Sequence, residues 1–236
     1  MNKYLNETEL LDFRHPDIEK LVSNLHWNDL AEYEKIGCIY HFVQNDIAFG
    51  YNASDEIPAS KVLKEGYGQC NTKGTLLMAL LRSVGIPCRF HGFTIDKLLQ
   101  KGAITGLPYL LAPKSIIHSW VEIYYQDEWL NLEGFILDKK YLNKLQCTFS
   151  GVTGPFSGYG VATSDFRNPQ IDWNGVDTYI QKEGINHDFG IFDDPDSFYK
   201  AHGSNLSGIK AILYKHVVRK LMNLNVTRIR DGRNHG

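Results

Sequence analysis

The 236-residue sequence predicts an α+β fold in which helices pack on one side of an antiparallel β-sheet. One observation behind this prediction is a helical apolar stripe over residues 71–84. Another is a strand-like segment, 89–94, which is followed later by two alternating segments, 119–125 and 129–132, that flank a polar turn. We expect a single domain over residues 1–236, with helical N- and C-terminal extensions around this core.

The N-terminal extension, residues 1–58, is predicted to be mostly helical. A helix over 16–22 begins with a proline, which suits a first helical turn, and residues 29–43 place apolar side chains at helical spacing. A short helix over 59–65 follows and ends at Gly66, because glycine readily adopts the left-handed conformation of a C-terminal cap. Helices therefore lead into the central part of the chain.

The helix over 71–84 has the clearest pattern in the sequence. Gly85 and Pro87 end it, since glycine suits the cap and proline cannot continue a helix. Its apolar stripe consists of Leu76, Leu77, Leu80, Leu81 and Val84. Such a stripe predicts that one face of the helix packs against the sheet.

The remaining segments have weaker patterns. Residues 95–117 contain glycines and prolines among leucines, which predicts a packed excursion that forms one wall of a cleft. In the C-terminal extension, 141–236, the glycine-rich run 150–160 lacks the lysine of a phosphate loop and is interpreted as a mobile surface loop. Residues 168–199 are expected to be irregular with short helices. Residues 206–225 predict a basic amphipathic helix that packs on its own domain rather than on a membrane.

Composition excludes several classes of function. A formal net charge of −2 gives no reason to expect a nucleic-acid partner, and no apolar run approaches the roughly 18 residues of a membrane span. The first residues lack the profile of a signal peptide, so a cytoplasmic location is expected. The widely spaced cysteines predict neither a zinc site nor disulfides, and Cys38 and Cys88 are expected to be small core residues.

Cys70 differs from the other cysteines because it stands at the start of the best-defined helix. The free N–H groups and the dipole at a helix N-terminus stabilise a thiolate, and the same N–H groups can bind the oxyanion of a tetrahedral intermediate. Gly66 and Gly68 allow a tight approach of the incoming chain. We therefore predict that Cys70 is a nucleophile.

His118 and Glu133 are the predicted partners of this nucleophile. They lie on the two strands of the predicted hairpin, where opposed residue numbers add to a constant. A constant of 251 places them opposite each other and a constant of 253 makes them diagonal neighbours, whereas 252 would put them on different faces. Two of the three registers thus pair an imidazole with a carboxylate that can fix its tautomer.

Three segments in combination resemble the core of the transglutaminase-like (papain-like) superfamily, over roughly residues 60–140. They are G-Q-C at 68–70, L-L-R-S-V-G-I-P-C-R at 80–89 and H-S-W-V-E-I-Y at 118–124, followed by Trp129. The resemblance implies a transglutaminase-like core in which the nucleophile helix packs on an antiparallel sheet. In that family a cysteine is the nucleophile, a histidine the general base and an aspartate the residue that orients the histidine.

Carried over to this sequence, the resemblance implies that Cys70 and His118 are catalytic. Glu133 stands where the family has aspartate, and Asp138 is the alternative acid. The resemblance also implies a second oxyanion donor beside the nucleophile.

For that donor Gln69 and Tyr67 are both candidates. Gly68 leaves space for a substrate backbone, and Trp120 is a candidate substrate contact, although packing is the commoner use of such a tryptophan. No calcium-binding loop is present in the sequence, and no metal or cofactor is expected.

A Cys–His–acid site attacks an acyl carbon and forms a thioester. We predict a hydrolase that acts on the amide or peptide bond of a peptide, a protein or a small amide. The alternatives are transfer of the acyl group to an amine, as in protein-glutamine acyltransferases, and a non-catalytic module that binds peptides with the same fold. The sequence does not predict an oligomeric state.

Overall fold

The computed structural model describes residues 1–205 and 212–233. The α-helices within these ranges are α1 (Pro16–Asn24), α2 (Glu32–Asn45), α3 (Ala59–Glu65), α4 (Cys70–Ser83), α5 (Gly106–Leu111), α6 (Lys139–Thr148), α7 (Pro195–His202) and α8 (Arg219–Arg230). The strands are β1 (Ala48–Phe49), β2 (Tyr67–Gly68), β3 (Cys88–Asp96), β4 (Ser115–Tyr125), β5 (Glu128–Leu132), β6 (Phe156–Gly158), β7 (Val161–Thr163) and β8 (Ile185–Phe192). Helices combined with an antiparallel sheet confirm the predicted α+β class.

The main sheet has the strand order β5-β4-β3-β8, and all its neighbours are antiparallel. In the β4–β5 hairpin, Val121 pairs with Leu132 and Glu122 with Asn131, so that opposed residue numbers add to 253. This is one of the two registers that keep His118 and Glu133 on the same face. The tight turn is made by Gln126 and Asp127, which both have positive φ angles.

Helix α4 lies at the centre of the core, between the sheet and the N-terminal helices. Every residue from Cys70 to Arg82 is buried. Gly74 faces the sheet, where a Cβ atom would meet Val121 and Ser119 at 3.7 and 3.8 Å. The prediction that the helix of the candidate nucleophile packs on an antiparallel sheet is thus confirmed.

Two predictions for the C-terminal extension are wrong. The segment expected to be irregular, 168–199, contains β8, which pairs with β3 at the edge of the sheet. Most side chains of β8 are at least partly exposed, so the strand is held by backbone hydrogen bonds and has no apolar alternation that could reveal it. The run 150–160, expected to be a mobile loop, contains β6 and reaches the turn to β7. The N–H groups of Tyr159 and Gly160 anchor that turn on the carbonyls of Lys101 and Leu99, at 2.7 and 2.8 Å.

The final helix packs on the domain, as predicted. Helix α8 buries Met222, Val226 and Ile229, and π-helical residues Tyr214–Val218 precede it. The first part of the predicted helix, 206–211, lies outside the described residues. Within the described ranges, no helix has both the length and the apolarity that a membrane crossing requires.

Of the two cysteines predicted to fill the core, one does so. Cys88 is completely buried, and burial raises the pKa of its thiol to about 11. Cys38 is exposed on α2, so that prediction is wrong. Its apolar neighbours in the sequence, Ile36 and Ile39, point into the core on the other side of the helix.

Lys73 is an unusual part of the core, because its ammonium group is completely buried. It donates hydrogen bonds to the carbonyls of Gln44 and Ile136, at 3.1 and 3.0 Å, and so joins α2 to the segment before α6. Burial lowers the pKa of Lys73 from 10.5 to about 7, although the Asp138 carboxylate favours the charged form.

We expect stability to rise with pH between about 7 and 10.5, because the unfolded Lys73 there still holds a proton that the folded one has released. Lys73→Met should flatten the increase in the free energy of unfolding between pH 7 and pH 9 by on the order of 1–2 kcal/mol. Urea denaturation at both pH values measures this. Lys61→Met, at an exposed position of α3, is the control, and an unchanged pH slope in Lys73→Met would contradict the prediction.

Candidate active site

Cys70 is the first residue of α4, one position earlier than the sequence predicts, and only 8% of its surface is exposed. The helix begins there because Gln69 has an extended backbone and donates its N–H group to the Thr72 hydroxyl at 3.1 Å. The N–H groups of the first helical turn have no partners within the helix. These groups create a positive local field at the end of the helix where Cys70 lies.

Gly68 lies two residues before Cys70, at the end of β2, which pairs with β1 in a parallel arrangement. A Cβ atom at Gly68 would lie 2.7 Å from the Thr72 hydroxyl oxygen and 2.9 Å from Cγ of Lys73. The protein's own side chains thus occupy this space, and this close packing explains why glycine fits here. Room for a substrate backbone at Gly68 stays a prediction.

His118 and Glu133 are both completely buried and form a direct pair. Nε2 of His118 lies 2.7 Å from Oε1 of Glu133. The other carboxylate oxygen, Oε2, accepts hydrogen bonds from three consecutive backbone N–H groups, those of Ile180, Gln181 and Lys182, at 2.9, 2.9 and 3.0 Å. The carboxylate is therefore fixed from one side by the backbone, and it fixes the imidazole ring on the other side.

The second ring nitrogen of His118 faces a different environment. In the described part of the chain, Nδ1 is buried and has no hydrogen-bond partner. Burial disfavours the charged ring, but interactions with Cys70, followed by those with Glu133, outweigh this effect and raise the pKa of His118. An imidazole held by a carboxylate beside a thiol can accept and return the thiol proton.

Asn71 connects helix α4 to strand β4. Its Nδ2 donates to the carbonyl of Ile117 at 3.2 Å, and its Oδ1 accepts from the Ser119 hydroxyl at 2.9 Å. These two residues flank His118 in β4. The residue after Cys70 is thus bonded to both chain neighbours of His118, a role that sequence analysis missed.

The two candidate oxyanion donors are both tied to other parts of the protein. The Gln69 side chain accepts from the Asn52 N–H group at 2.8 Å and donates to Asp55 Oδ1 at 2.9 Å. The Tyr67 hydroxyl accepts a hydrogen bond from Arg219 at 2.8 Å. A role of either side chain in oxyanion binding stays a prediction.

Trp120 lies on the same sheet face as His118 and is 7% exposed. Its ring packs against Phe93, at 4.1 Å between ring centroids, and has His91 and Tyr179 at its edges, at 5.2 and 5.7 Å. Nε1 is buried without a partner in the described residues. These contacts account for a packing role, and contact with a substrate stays a prediction.

Asp138, the alternative acid, makes its contacts elsewhere. It caps α6 by accepting the Tyr141 N–H group at 2.8 Å, and it also accepts the Phe49 N–H group at 2.9 Å. Its ion pair with Arg230 has an N–O distance of 2.7 Å. The acid beside His118 is Glu133.

The C-terminal extension contributes a buried tyrosine near this site. Tyr199 is 4% exposed, and its buried hydroxyl has no partner among the described residues. Burial raises the pKa of Tyr199, and the charges of Asp55 and Cys70 raise it further. Nothing near residue 199 in the sequence points to Cys70, so no local pattern could have identified this neighbour.

The described residues contain no cluster of side chains suited to a metal ion.

Comparisons with known proteins agree with the fold. Residues 19–134 match the family model described as the transglutaminase-like superfamily. The uncharacterized protein YebA of Bacillus subtilis (strain 168) is 33% identical over 85 residues, which make up 35% of this chain and 11% of YebA.

Two solved structures are similar to the chain. One is a candidate cysteine protease from Cytophaga hutchinsonii, with a TM-score of 0.47 and 14% identity, over 82% of this chain and 47% of that one. The other is red sea bream transglutaminase, with a TM-score of 0.31 and 17% identity, over 56% of this chain and 25% of that one. This chain therefore spans less than half the length of each of these three proteins.

Proposed function

Residues 19–134 belong to the transglutaminase-like superfamily, and on this premise we propose that the chain is a thiol-dependent enzyme that hydrolyses an amide or peptide bond. The observation that supports this most is the completely buried pair of His118 and Glu133 beside Cys70. Burying an imidazole and a carboxylate is costly, and a pair that serves only packing could be replaced by apolar side chains. Acyl transfer requires a thiol beside the imidazole nitrogen that the carboxylate does not occupy, here Nδ1 of His118.

In the first half of the reaction, Nδ1 of His118 takes the proton of the Cys70 thiol, and the sulfur forms a bond to the carbonyl carbon of the substrate. The C=O electrons move to oxygen, and the N–H groups at the start of α4 stabilise the resulting oxyanion. When this intermediate collapses, the C–N bond breaks and the His118 imidazolium gives its Nδ1 proton to the leaving amine. The acyl group remains on Cys70 as a thioester.

In the second half, a water molecule attacks the thioester carbon while His118 takes its proton. The C–S bond then breaks, the carboxylic acid leaves, and the Cys70 thiolate is formed again beside the His118 imidazolium. An amine in place of water would give an amide, so the same residues can catalyse acyl transfer. Limited access to Cys70, which is 8% exposed, favours small acceptors such as water.

The first test is the reaction of Cys70 with iodoacetamide at pH 7. A free thiol is only a few per cent ionised at this pH, whereas a neighbouring imidazolium keeps the thiolate populated. We expect Cys70 to react faster than a model thiol, and His118→Ala to reduce its rate at least about tenfold. The exposed cysteines are removed in a background of Cys38→Ser and Cys147→Ser, so that alkylation reports Cys70.

The matched control is His91→Ala. His91 lies on the same sheet face but pairs with Glu122 and Asp188, at 2.6 and 2.9 Å. His91→Ala should leave the alkylation rate of Cys70 unchanged. Equal rates for Cys70 in the wild-type chain, Cys70 in His118→Ala and a model thiol would disprove the proposed function.

A further inference from the structure

We infer that Asp55 is a positioning residue. Together with Asn71 and Asn205, it fixes the position of Cys70 relative to His118. Asp55 lies before α3, outside the segments that predict the catalytic residues, and the residue is 8% exposed. The inference rests on the proposed function, since it assigns Asp55 a role in the Cys70–His118 pair.

The first observation is that Asp55 holds the residues on both sides of the nucleophile. Its Oδ1 accepts hydrogen bonds from Gln69 Nε2 at 2.9 Å and from Asn71 Nδ2 at 3.1 Å. Cys70 lies between these two residues in the chain. A buried carboxylate needs such donors, and in return it fixes the backbone that carries the sulfur.

The second observation is that the same carboxylate is connected to the strand of the base. Its Oδ2 accepts a hydrogen bond from Asn205 Nδ2 at 2.9 Å. Asn205 Oδ1 in turn accepts the N–H group of Ile117, the residue before His118, at 2.7 Å. Asp55 and Asn205 therefore form a bridge from the start of α4 to β4.

Asn71 closes the bridge on the other side, because it bonds to Asp55 and also to the Ile117 carbonyl at 3.2 Å. The peptide groups on both sides of Ile117 are thus held by side chains that share Asp55 as a partner. Cys70 and His118 belong to different elements, and a displacement of about 1 Å between reacting groups can cost about 100-fold in rate. A polar network that is fully hydrogen-bonded suits this task, because it defines one arrangement.

The charge of Asp55 has the opposite effect on the nucleophile. A carboxylate close to Cys70 disfavours the thiolate, so by charge alone the removal of Asp55 would speed alkylation. If Asp55 positions the pair, its replacement will slow alkylation in spite of this. The direction of the rate change therefore separates the two roles.

The experiment measures the iodoacetamide rate of Cys70 against pH in the background without Cys38 and Cys147. Asp55→Asn should lower the rate at pH 7 about tenfold and shift the pH profile towards that of a free thiol. Asp12→Asn is the control, because Asp12 is a half-buried carboxylate that accepts two hydrogen bonds from Ser60, which lies on a different helix from Cys70. Asn205→Ala keeps the Asp55 charge and breaks only the bridge, and we expect it to slow alkylation in the same direction.

The outcomes separate this inference from the proposed function. If wild-type Cys70 reacts faster than a model thiol but Asp55→Asn and Asn205→Ala react as fast as wild type or faster, Asp55 does not position the pair and only this inference fails. If wild-type Cys70 itself reacts no faster than a model thiol, both fail. If Asp55→Asn does not fold, the alkylation rate of Cys70 in Asn205→Ala, a change at a partly exposed residue, decides the question alone.

Discussion

Glu133→Gln is expected to lower the rate of acyl transfer to Cys70 by about 10²- to 10⁴-fold and to leave the protein folded. The reason is the tautomer of His118. Three backbone N–H groups bond to Oε2 of Glu133 and will hold the amide oxygen of the glutamine, so that its NH₂ group is turned towards His118 Nε2. The neutral ring must then carry its hydrogen on Nδ1, and a protonated Nδ1 cannot accept the Cys70 proton.

The measurement uses a panel of p-nitrophenyl esters, because an activated ester acylates a thiol without a matched leaving group. The amount of acylated Cys70 is followed by mass spectrometry in single turnovers. Glu128→Gln, at an exposed position of β5, is the control and should acylate at the wild-type rate. A rate for Glu133→Gln within about twofold of the control would exclude Glu133 as the residue that orients His118.

Glu133→Asp tests the difference between this chain and the family pattern. The glutamate spans from the backbone of residues 180–182 to His118. A side chain shorter by one methylene cannot reach both without a backbone shift, so we expect a rate between those of wild type and Glu133→Gln. The longer acid therefore fits the distance that the C-terminal extension imposes.

The sequence predicts well those parts of the fold that depend on local patterns. Helix α4 has its apolar stripe and its stop signal within a short segment, and the observed bounds differ from the predicted ones by one residue. Side chains of the two sheet faces alternate clearly enough in the sequence of the β4–β5 hairpin to limit its register to a few possibilities. The predicted partners of Cys70 and the observed pairing of His118 with Glu133 follow from these two elements.

The rest depends on contacts between distant residues. The edge strand β8 is specified by backbone pairing with β3 and by little burial of its own, so its sequence resembles that of a loop. The bridge of Asp55 and Asn205 joins residues 150 positions apart, and neither residue belongs to a motif. Glu133 illustrates an intermediate case, because its position is predicted by the register but its three N–H donors come from a segment expected to be irregular.

Asp138→Ala is expected to cost about 3 kcal/mol or more in the free energy of unfolding, and to leave the alkylation rate of Cys70 unchanged. The Asp138 side chain is 4% exposed and that of Arg230 14%. Removal of the carboxylate leaves the Arg230 guanidinium unpaired in the interior and deprives α6 of its N-cap. Asp138 thus stabilises the contact of α8 with the body of the domain, whereas Glu133 is bonded to His118.

Urea denaturation and the Cys70 alkylation rate measure the two parts of this prediction. Asp194→Ala is the matched control, because Asp194 caps α7 through the Ser197 N–H group but forms no ion pair in the described part of the chain, and its loss should cost only about 1 kcal/mol. Burial disfavours the Asp138 carboxylate, yet Arg230 outweighs this and lowers the pKa below 3.8. The stability advantage of the wild type over Asp138→Ala is therefore fully present above that pH, and it shrinks as acid protonates the folded carboxylate. A large drop in Cys70 reactivity at unchanged stability would instead make Asp138 the functional acid.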